Sequence, residues 1–172
     1  MATVHIYTDG AAKQYQYGGI GVFYGDDDFR NISEPFFLIP ITNNRTELFA
    51  VIEGLRNYVR YKETPDKENV KIYTDSEYVK NLITIWIHKW KVNGWKTANG
   101  KDVKNKDLIV WLDNLITLSK DIFDIEFIHV KAHRSKKEAP SDKKSKEYKK
   151  WYGNYMADKL AVNGKKIAMK TF

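Results

Sequence analysis

The tetrapeptide Ile-Tyr-Thr-Asp occurs twice in the chain, at residues 6–9 and again at residues 72–75. The residues leading into each aspartate have the β-branched and alternating character of a short strand. A turn signal follows each time, Asp9-Gly10 in the first copy and Asp75-Ser76 in the second, so we expect each aspartate where its strand stops. Side chains alternate between strand faces with a period of two, and both aspartates have the same parity. If the two strands are parallel neighbours, both carboxylates lie at one edge of the sheet.

The remaining patterns predict a mixed sheet with helices on both faces. A glycine-containing strand at residues 18–24 and an apolar stretch around residues 35–39 would complete a three-strand meander. Capping side chains at residues 42–44 precede apolar residues at helical spacing from Leu48 to Val59. Further patterns predict a helix from Glu77, a helix over 106–119, a strand over 125–130 and a last helix that carries Asp158. The order predicts one α/β domain over residues 1–172 with five strands.

The composition excludes several classes of site. The chain of 172 residues contains no cysteine, which removes disulfides, thiolate zinc sites and cysteine nucleophiles, so a metal site must use oxygen or imidazole ligands. The N-terminus does not resemble a signal peptide, and no apolar stretch approaches the length of a membrane span. We therefore expect a soluble cytoplasmic protein with no membrane partner and no small-molecule cofactor.

The positive charge is concentrated in two segments. The net charge is +7, yet residues 131–150 hold nine Lys or Arg against three acids, and residues 88–106 hold six against one. The rest of the chain therefore carries 7 − 6 − 5 = −4. Basic segments on an acidic body are typical of a nucleic-acid-binding protein with a separate acidic site. For either segment alone, a solvated lysine-rich surface is an equal alternative.

The acidic site is predicted from Asp9, Asp75 and Glu47, which lies in the first turn of the helix after residues 42–44. Clustered carboxylates repel one another unless they share a cation, and oxygen ligands favour Mg²⁺ or Mn²⁺. With Asp158, four carboxylates suit two ions and in-line hydrolysis of a phosphodiester. Taken alone, each Asp-Gly or Asp-Ser is more often a turn or a helix cap. The shared tetrapeptide favours a functional role.

Four motifs, in order and spacing, resemble type 1 ribonuclease H: Tyr7-Thr8-Asp9-Gly10, Thr42-Asn43-Asn44-Arg45-Thr46-Glu47-Leu48, Thr74-Asp75-Ser76 and Gly153-Asn154-Tyr155-Met156-Ala157-Asp158. The resemblance implies a ribonuclease H-like fold and an endonuclease that cuts the RNA strand of an RNA/DNA hybrid, leaving 5′-phosphate and 3′-hydroxyl ends. It also implies two Mg²⁺ ions, replaceable by Mn²⁺, on Asp9, Glu47, Asp75 and Asp158.

The resemblance extends to residues that would contact substrate. The segment of about 86–106 is similar to the basic protrusion of bacterial-type members, which grips the DNA strand, and it offers Lys89, Trp90, Lys91, Trp95 and Lys96. Lysine ammonium groups can bind phosphates, and the indole rings beside them can stack on bases. Alternatively, Trp86 and Trp90, four residues apart, anchor a helix.

The RNA strand would be contacted by Gly10, Asn43 and Asn44, since amide and backbone groups can read 2′-hydroxyls across a shallow groove. Turn geometry for Gly10 and helix capping for the asparagines are the structural alternatives. His133 would be the catalytic histidine that aids proton transfer or product release, and a surface histidine is its alternative.

Two departures from the family pattern stand out. Glu77 replaces a frequent glutamine, which puts a substrate contact in doubt, and a lysine-rich insertion of about 134–150 lengthens the path to Asp158. We expect the insertion to be solvated and mobile and to add non-specific affinity for the hybrid. Two other functions remain open: a non-catalytic module that binds hybrids or double-stranded RNA, and a DNA-acting nuclease of the same fold. A monomer is expected.

Overall fold

The computed structural model describes residues 1–132 and 136–171, and its centre is a five-stranded sheet in the order β3-β2-β1-β4-β5. The strands are β1 (Thr3–Lys13), β2 (Tyr17–Phe23), β3 (Ile32–Phe36), β4 (Glu68–Thr74) and β5 (Phe123–His129). The first three form an antiparallel meander, and β4 and β5 run parallel to β1. The predicted α/β fold with a mixed five-stranded sheet is confirmed.

Helices cover both faces of the sheet. They are α1 (Asn43–Tyr61), α2 (Glu77–Asn81), α3 (Ile87–Val92), α4 (Lys106–Leu118) and α5 (Lys146–Thr171), with a π-helical segment Leu82–Trp86 between α2 and α3 and a short 3₁₀ helix Lys136–Glu138. Helix α1 packs on β1 and β2 with α4 against it, and α5 packs on β1, β2 and β3. Among residues 1–132 and 136–171, no helix has the length and apolar character to span a bilayer.

The larger apolar core lies on one face, where Ile6, Ile20 and Ile72 of the sheet meet Leu48 and Leu55 of α1. The opposite face is built for close approach of α5. A Cβ placed on Gly19 would lie 2.0 Å from the backbone nitrogen of Lys165, and one on Gly21 would lie 2.2 Å from the carbonyl oxygen of Ala157. The two glycines therefore let the backbone of α5 contact β2 directly, and this contact sets the distance between the sheet and the helix that carries Asp158.

Several predicted boundaries are wrong. Asp9 does not end β1: the parallel pairing with β4 ends at Tyr7, but β1 continues to Lys13 because it stays paired with β2. The third strand is Ile32–Phe36 and not 35–39, because β2 begins at Tyr17 and residues 37–39 have no strand opposite them. Helix α5 begins at Lys146, so residues 146–150 of the predicted insertion belong to a helix, although the described part of the insertion is mostly exposed.

Candidate active site

The register of β1 and β4 aligns the two copies of the tetrapeptide. Ile6 pairs with Ile72 and Tyr7 pairs with Tyr73, so that Asp9 and Asp75 follow at the same offset from the last parallel pair. The two carboxylates therefore lie at one edge, as the repeated motif predicts. Asp75 comes one residue after β4 ends, whereas Asp9 lies within β1, opposite Gly21 of β2.

Glu47 reaches these aspartates because α1 comes very close to β1 at Gly10. A Cβ on Gly10 would lie 2.3 Å from Thr46 Oγ1 and 2.6 Å from the backbone nitrogen of Glu47. No other residue type fits at this position without moving α1 away from the sheet. The predicted turn geometry for Gly10 is wrong, since Gly10 is paired with Ile20 inside a strand.

Asp9, Glu47 and Asp75 form a compact group: one carboxylate oxygen from each lies within 4.8 Å of the others. Asp9 is 3% exposed and Glu47 9%, whereas Asp75 is partly exposed. Asp158 lies on α5 next to the fully buried Ala157, with its own side chain exposed. Asp158 is not part of the group within 4.8 Å, but its negative charge raises the pKa of each of the three acids, so it acts on the same site.

The electrostatics of the group are those of carboxylates held together without enough counter-charge. Burial, followed by the charges of Glu47 and Asp75, raises the pKa of Asp9 well above its usual range. Burial, with the charge of Asp75, raises the pKa of Glu47 to about 8. Burial is also the main reason that the pKa of Asp75 is raised. Each shift means that the site disfavours its own ionised form.

Within the described chain, Glu47 Oε2 is buried and has no hydrogen-bond partner. A buried acceptor of this kind costs roughly 1–3 kcal/mol if it is left unsatisfied. A divalent cation would remove both this cost and the mutual repulsion, and an all-oxygen donor set is the type that hard cations such as Mg²⁺ prefer. The residues present therefore fit a divalent metal centre.

Two residues beside Asp75 were missed by the sequence reasoning. The side chain of Asn154, 2% exposed, hydrogen-bonds with Asp75 and lowers its pKa, opposing the effect of burial. His129 Nε2 lies 3.2 Å from the backbone oxygen of Asp75, and the histidine also lowers the pKa of Asp75. Asn154 is four residues before Asp158 and so shares its face of α5. That spacing was the signal available for Asn154, whereas only strand pairing brings His129 to Asp75.

Asn43 and Asn44 are the first two residues of α1, and both are exposed at its N-terminus. The capping alternative predicted for them is wrong, because the Thr42 side chain accepts from the backbone nitrogen of Arg45 at 3.2 Å and is the N-cap. Both asparagines thus extend into solvent near Gly10 and Glu47. Glu77, the first residue of α2, is also exposed.

The basic segment of about 86–106 comprises α3 and the loop that joins it to α4. The rings of Trp90 and Trp95 are partly buried against the apolar core, as the anchoring alternative predicts for Trp90. Lys91 pairs with Asp113 at 3.3 Å and Lys96 pairs with Asp102 at 2.6 Å. Lys89 is exposed, and no ion pair of it is found in the described chain. His133 lies outside the described residues.

Comparison with known proteins decides the family. The ribonuclease H family model matches residues 1–166. This chain belongs to the ribonuclease H family. The matched residues include both tetrapeptides, Glu47 and Asp158.

Individual relatives agree with this assignment. The chain is 47% identical over 135 residues to ribonuclease HI of Haemophilus ducreyi, which covers 77% of this chain and 80% of that protein. The solution structure of the PFV RNase H domain superposes with a TM-score of 0.67 at 22% identity, covering 95% of this chain and 94% of that one. LC11-RNase H1, solved in complex with an RNA/DNA hybrid, superposes with a TM-score of 0.60 at 18% identity, covering 96% and 99%. The solved structures show the shared ribonuclease H fold.

Proposed function

We propose that this chain hydrolyses the RNA strand of RNA/DNA hybrids at the site formed by Asp9, Glu47, Asp75 and Asp158. The observation that carries the proposal is the group of three acids whose ligand oxygens lie within 4.8 Å of one another, with one buried oxygen of Glu47 left without a hydrogen bond. Membership of the ribonuclease H family supports the choice of reaction. The hybrid bound by the relative LC11-RNase H1 supports the choice of substrate.

The chain's residues hold and orient the reacting groups. Asp9 and Glu47, both buried, would form the fixed side of a centre for two Mg²⁺ ions, for which Mn²⁺ can substitute, and Asp75 and Asp158 its more open side. When bound, the cations supply an attacking water of lowered pKa and neutralise charge on the phosphodiester. The hydrogen bond between Asn154 and the Asp75 carboxylate favours its ionised form and so opposes the effect of burial on its pKa. Cleavage leaves 5′-phosphate and 3′-hydroxyl ends.

Substrate choice would come from the surfaces flanking the acids. Asn43 and Asn44 are exposed at the start of α1, the helix whose Thr46 and Glu47 pack against Gly10, and would hydrogen-bond with 2′-hydroxyls of the RNA strand. The segment of about 86–106 would contact the DNA strand through Lys89, Lys91 and Lys96. Lys91 now pairs with the partly buried Asp113 and Lys96 with the exposed Asp102. Trp90 and Trp95 would contribute their exposed edges. We assign proton transfer or product release to His133, and one catalytic unit to residues 1–172 as a monomer.

The test is cleavage of an end-labelled RNA/DNA hybrid, with RNA duplex and DNA duplex controls, in Mg²⁺ or in EDTA. The wild-type chain is compared with Asp9→Asn and with Asp121→Asn, an exposed aspartate outside the site. We expect cutting of RNA in the hybrid alone, lost in EDTA and in Asp9→Asn and retained in Asp121→Asn. Binding without cutting would instead identify a binding module, and cleavage of the DNA duplex would identify a DNA-acting nuclease.

A further inference from the structure

A cavity with a volume of about 630 Å³ lies under the first turns of α5. Its floor comes from His5 and Tyr7 of β1 and from Lys71 and Tyr73 of β4, which pair across the sheet. His5 and Lys71 are each four residues before a site aspartate, a separation of roughly 13 Å along a strand at about 3.3 Å per residue. Tyr7 and Tyr73 are only two residues before the aspartates, roughly 7 Å along the strands, so the cavity adjoins the carboxylate group, although none of the four acids lines it.

The cavity exists because α5 crosses β1, β2 and β3 extensively and touches β4 only slightly. Its floor is fixed by several contacts. The rings of Tyr7 and Tyr73 stack with their centroids 4.4 Å apart, and His5 Nδ1 lies 2.7 Å from the hydroxyl oxygen of Tyr73. A Cβ on Gly153 would lie 2.4 Å from the ring of Tyr7, so α5 rests directly on that ring. The cavity is thus largely preformed.

The walls carry unbalanced positive charge. Four lysines line the cavity, Lys71, Lys146, Lys149 and Lys150, against one acid, Asp26. For the lining residues that gives 4 − 1 = +3, and Asp26 already accepts a hydrogen bond from the Tyr152 hydroxyl at 2.6 Å. Two acids outside the lining reduce this excess: Glu126, which pairs with Lys71 in the sheet and acts on Tyr73, and Asp27, which acts on Tyr152. In the part of the chain that the structure describes, none of these lysines forms an ion pair.

Two of these lysines also act on His5 at the floor of the cavity. Burial lowers the pKa of His5 first, and the charges of Lys71 and Lys149 lower it further. These two lysines, one from β4 and one from α5, therefore act on a single point of the floor. Phe23, Ile128 and the ring of Tyr152 supply an apolar wall beside them.

We propose that this cavity binds a nucleoside monophosphate, with the phosphate held by Lys71 and the lysines of α5 and the base against the apolar wall. A volume of about 630 Å³ lies in the range of small-ligand sites, which is about 300–1,000 Å³. Lysine ammonium groups bind phosphate as point charges, and bases stack on aromatic side chains. The ligand can be a free 5′-nucleotide or the 5′-terminal nucleotide of a phosphorylated strand.

Calorimetric titration with AMP in EDTA tests the proposal while keeping divalent cations away from the carboxylates. We expect saturable binding at one site, with adenosine at least about tenfold weaker than AMP. The double variant Lys71→Glu/Lys149→Glu should weaken AMP binding at least about tenfold, and Lys71→Arg should retain it within about twofold. Lys166→Glu/Lys170→Glu, at two exposed lysines of α5 outside the cavity, changes the net charge by the same amount as the cavity double variant and should bind as the wild type does.

Three results would overturn the proposal. The first is the absence of saturable AMP binding by the folded wild-type chain. The second is equal weakening of AMP binding in Lys166→Glu/Lys170→Glu and in Lys71→Glu/Lys149→Glu. The third is AMP that competes with the hybrid in Mg²⁺ equally well in the wild type and in Lys71→Glu. The last result would place the nucleotide in the active site. Comparing AMP with a 5′-phosphorylated oligonucleotide and its unphosphorylated counterpart separates the two sources of ligand. A free nucleotide site binds AMP best, whereas a strand-end site prefers the phosphorylated oligonucleotide.

Discussion

Replacing Glu47 with glutamine should make the metal-free protein more stable while abolishing its activity. Glu47 is buried beside Asp9 and Asp75, and Oε2 has no hydrogen-bond partner in the described chain. Glutamine keeps the shape of the side chain and removes its charge. The repulsion within the carboxylate group therefore decreases, although the ability to hold a cation is lost.

The magnitude follows from the pKa of Glu47, which rises from 4.5 to about 8 on folding, chiefly through burial. A raised folded-state pKa stabilises the fold below the unfolded-state value, and this contribution is lost as the pH rises through the folded-state value. A pH of about 7.5 is about three units above the unfolded-state pKa of 4.5 and still below the folded-state pKa. At 1.36 kcal/mol per unit, the buried carboxyl therefore lowers the free energy of unfolding at this pH by at most about 4 kcal/mol. Half of this free energy, about 2 kcal/mol, corresponds to a change in melting temperature of roughly 4–8 °C in a chain of this size.

The assay is thermal unfolding of wild type and Glu47→Gln in EDTA from about pH 5 to pH 8.5. The variant should melt several degrees higher at the alkaline end, and the difference should shrink toward pH 5, where the wild-type carboxyl is protonated. Mg²⁺ at one hundred times its Kd should increase the free energy of unfolding of the wild type by about 2.7 kcal/mol and so raise its melting temperature. The same Mg²⁺ concentration should stabilise the variant less. An equal or lower melting temperature for the variant at pH 8.5 in EDTA would refute the reasoning.

Two further predictions concern α5 and the insertion. Gly21→Ala should lower the free energy of unfolding by about 1–3 kcal/mol or more, because its Cβ would lie 2.2 Å from a carbonyl oxygen of α5. Urea unfolding measures this change. Gly25→Ala is the control and should change the free energy of unfolding little, because the space around Gly25 is open. Neutralising exposed Lys136 and Lys137 with glutamine should make hybrid binding less salt-dependent, by up to about 0.7–0.9 in the log–log slope per lost phosphate contact. The same change at Lys165 and Lys166 on α5 should leave the slope unchanged, and an identical slope in both pairs would contradict a role for the insertion.

The sequence by itself determined the identity of the acids and the order of the elements. The repeated tetrapeptide placed Asp9 and Asp75 at the same parity of two strands. Helical spacing placed Glu47 near the start of α1, although Glu47 is the fifth residue of the helix and lies just after the predicted first turn. These features are local, because strand alternation and helix capping depend on a few consecutive residues. The predicted mixed sheet is confirmed, and the two tetrapeptides lie on parallel neighbouring strands, which was the condition for both aspartates to lie at one edge.

The tertiary structure decided how the acids meet and what surrounds them. That β1 runs past Asp9 depends on its pairing with β2, and the closeness of Glu47 depends on α1 touching the backbone at Gly10. Residues more than fifty positions apart in the sequence meet at two places. Asn154 and His129 lie beside Asp75, and α5 meets β1 and β4 at the lysine-lined cavity. No local pattern encodes such contacts, because burial and the charge of distant neighbours arise only when the elements pack together.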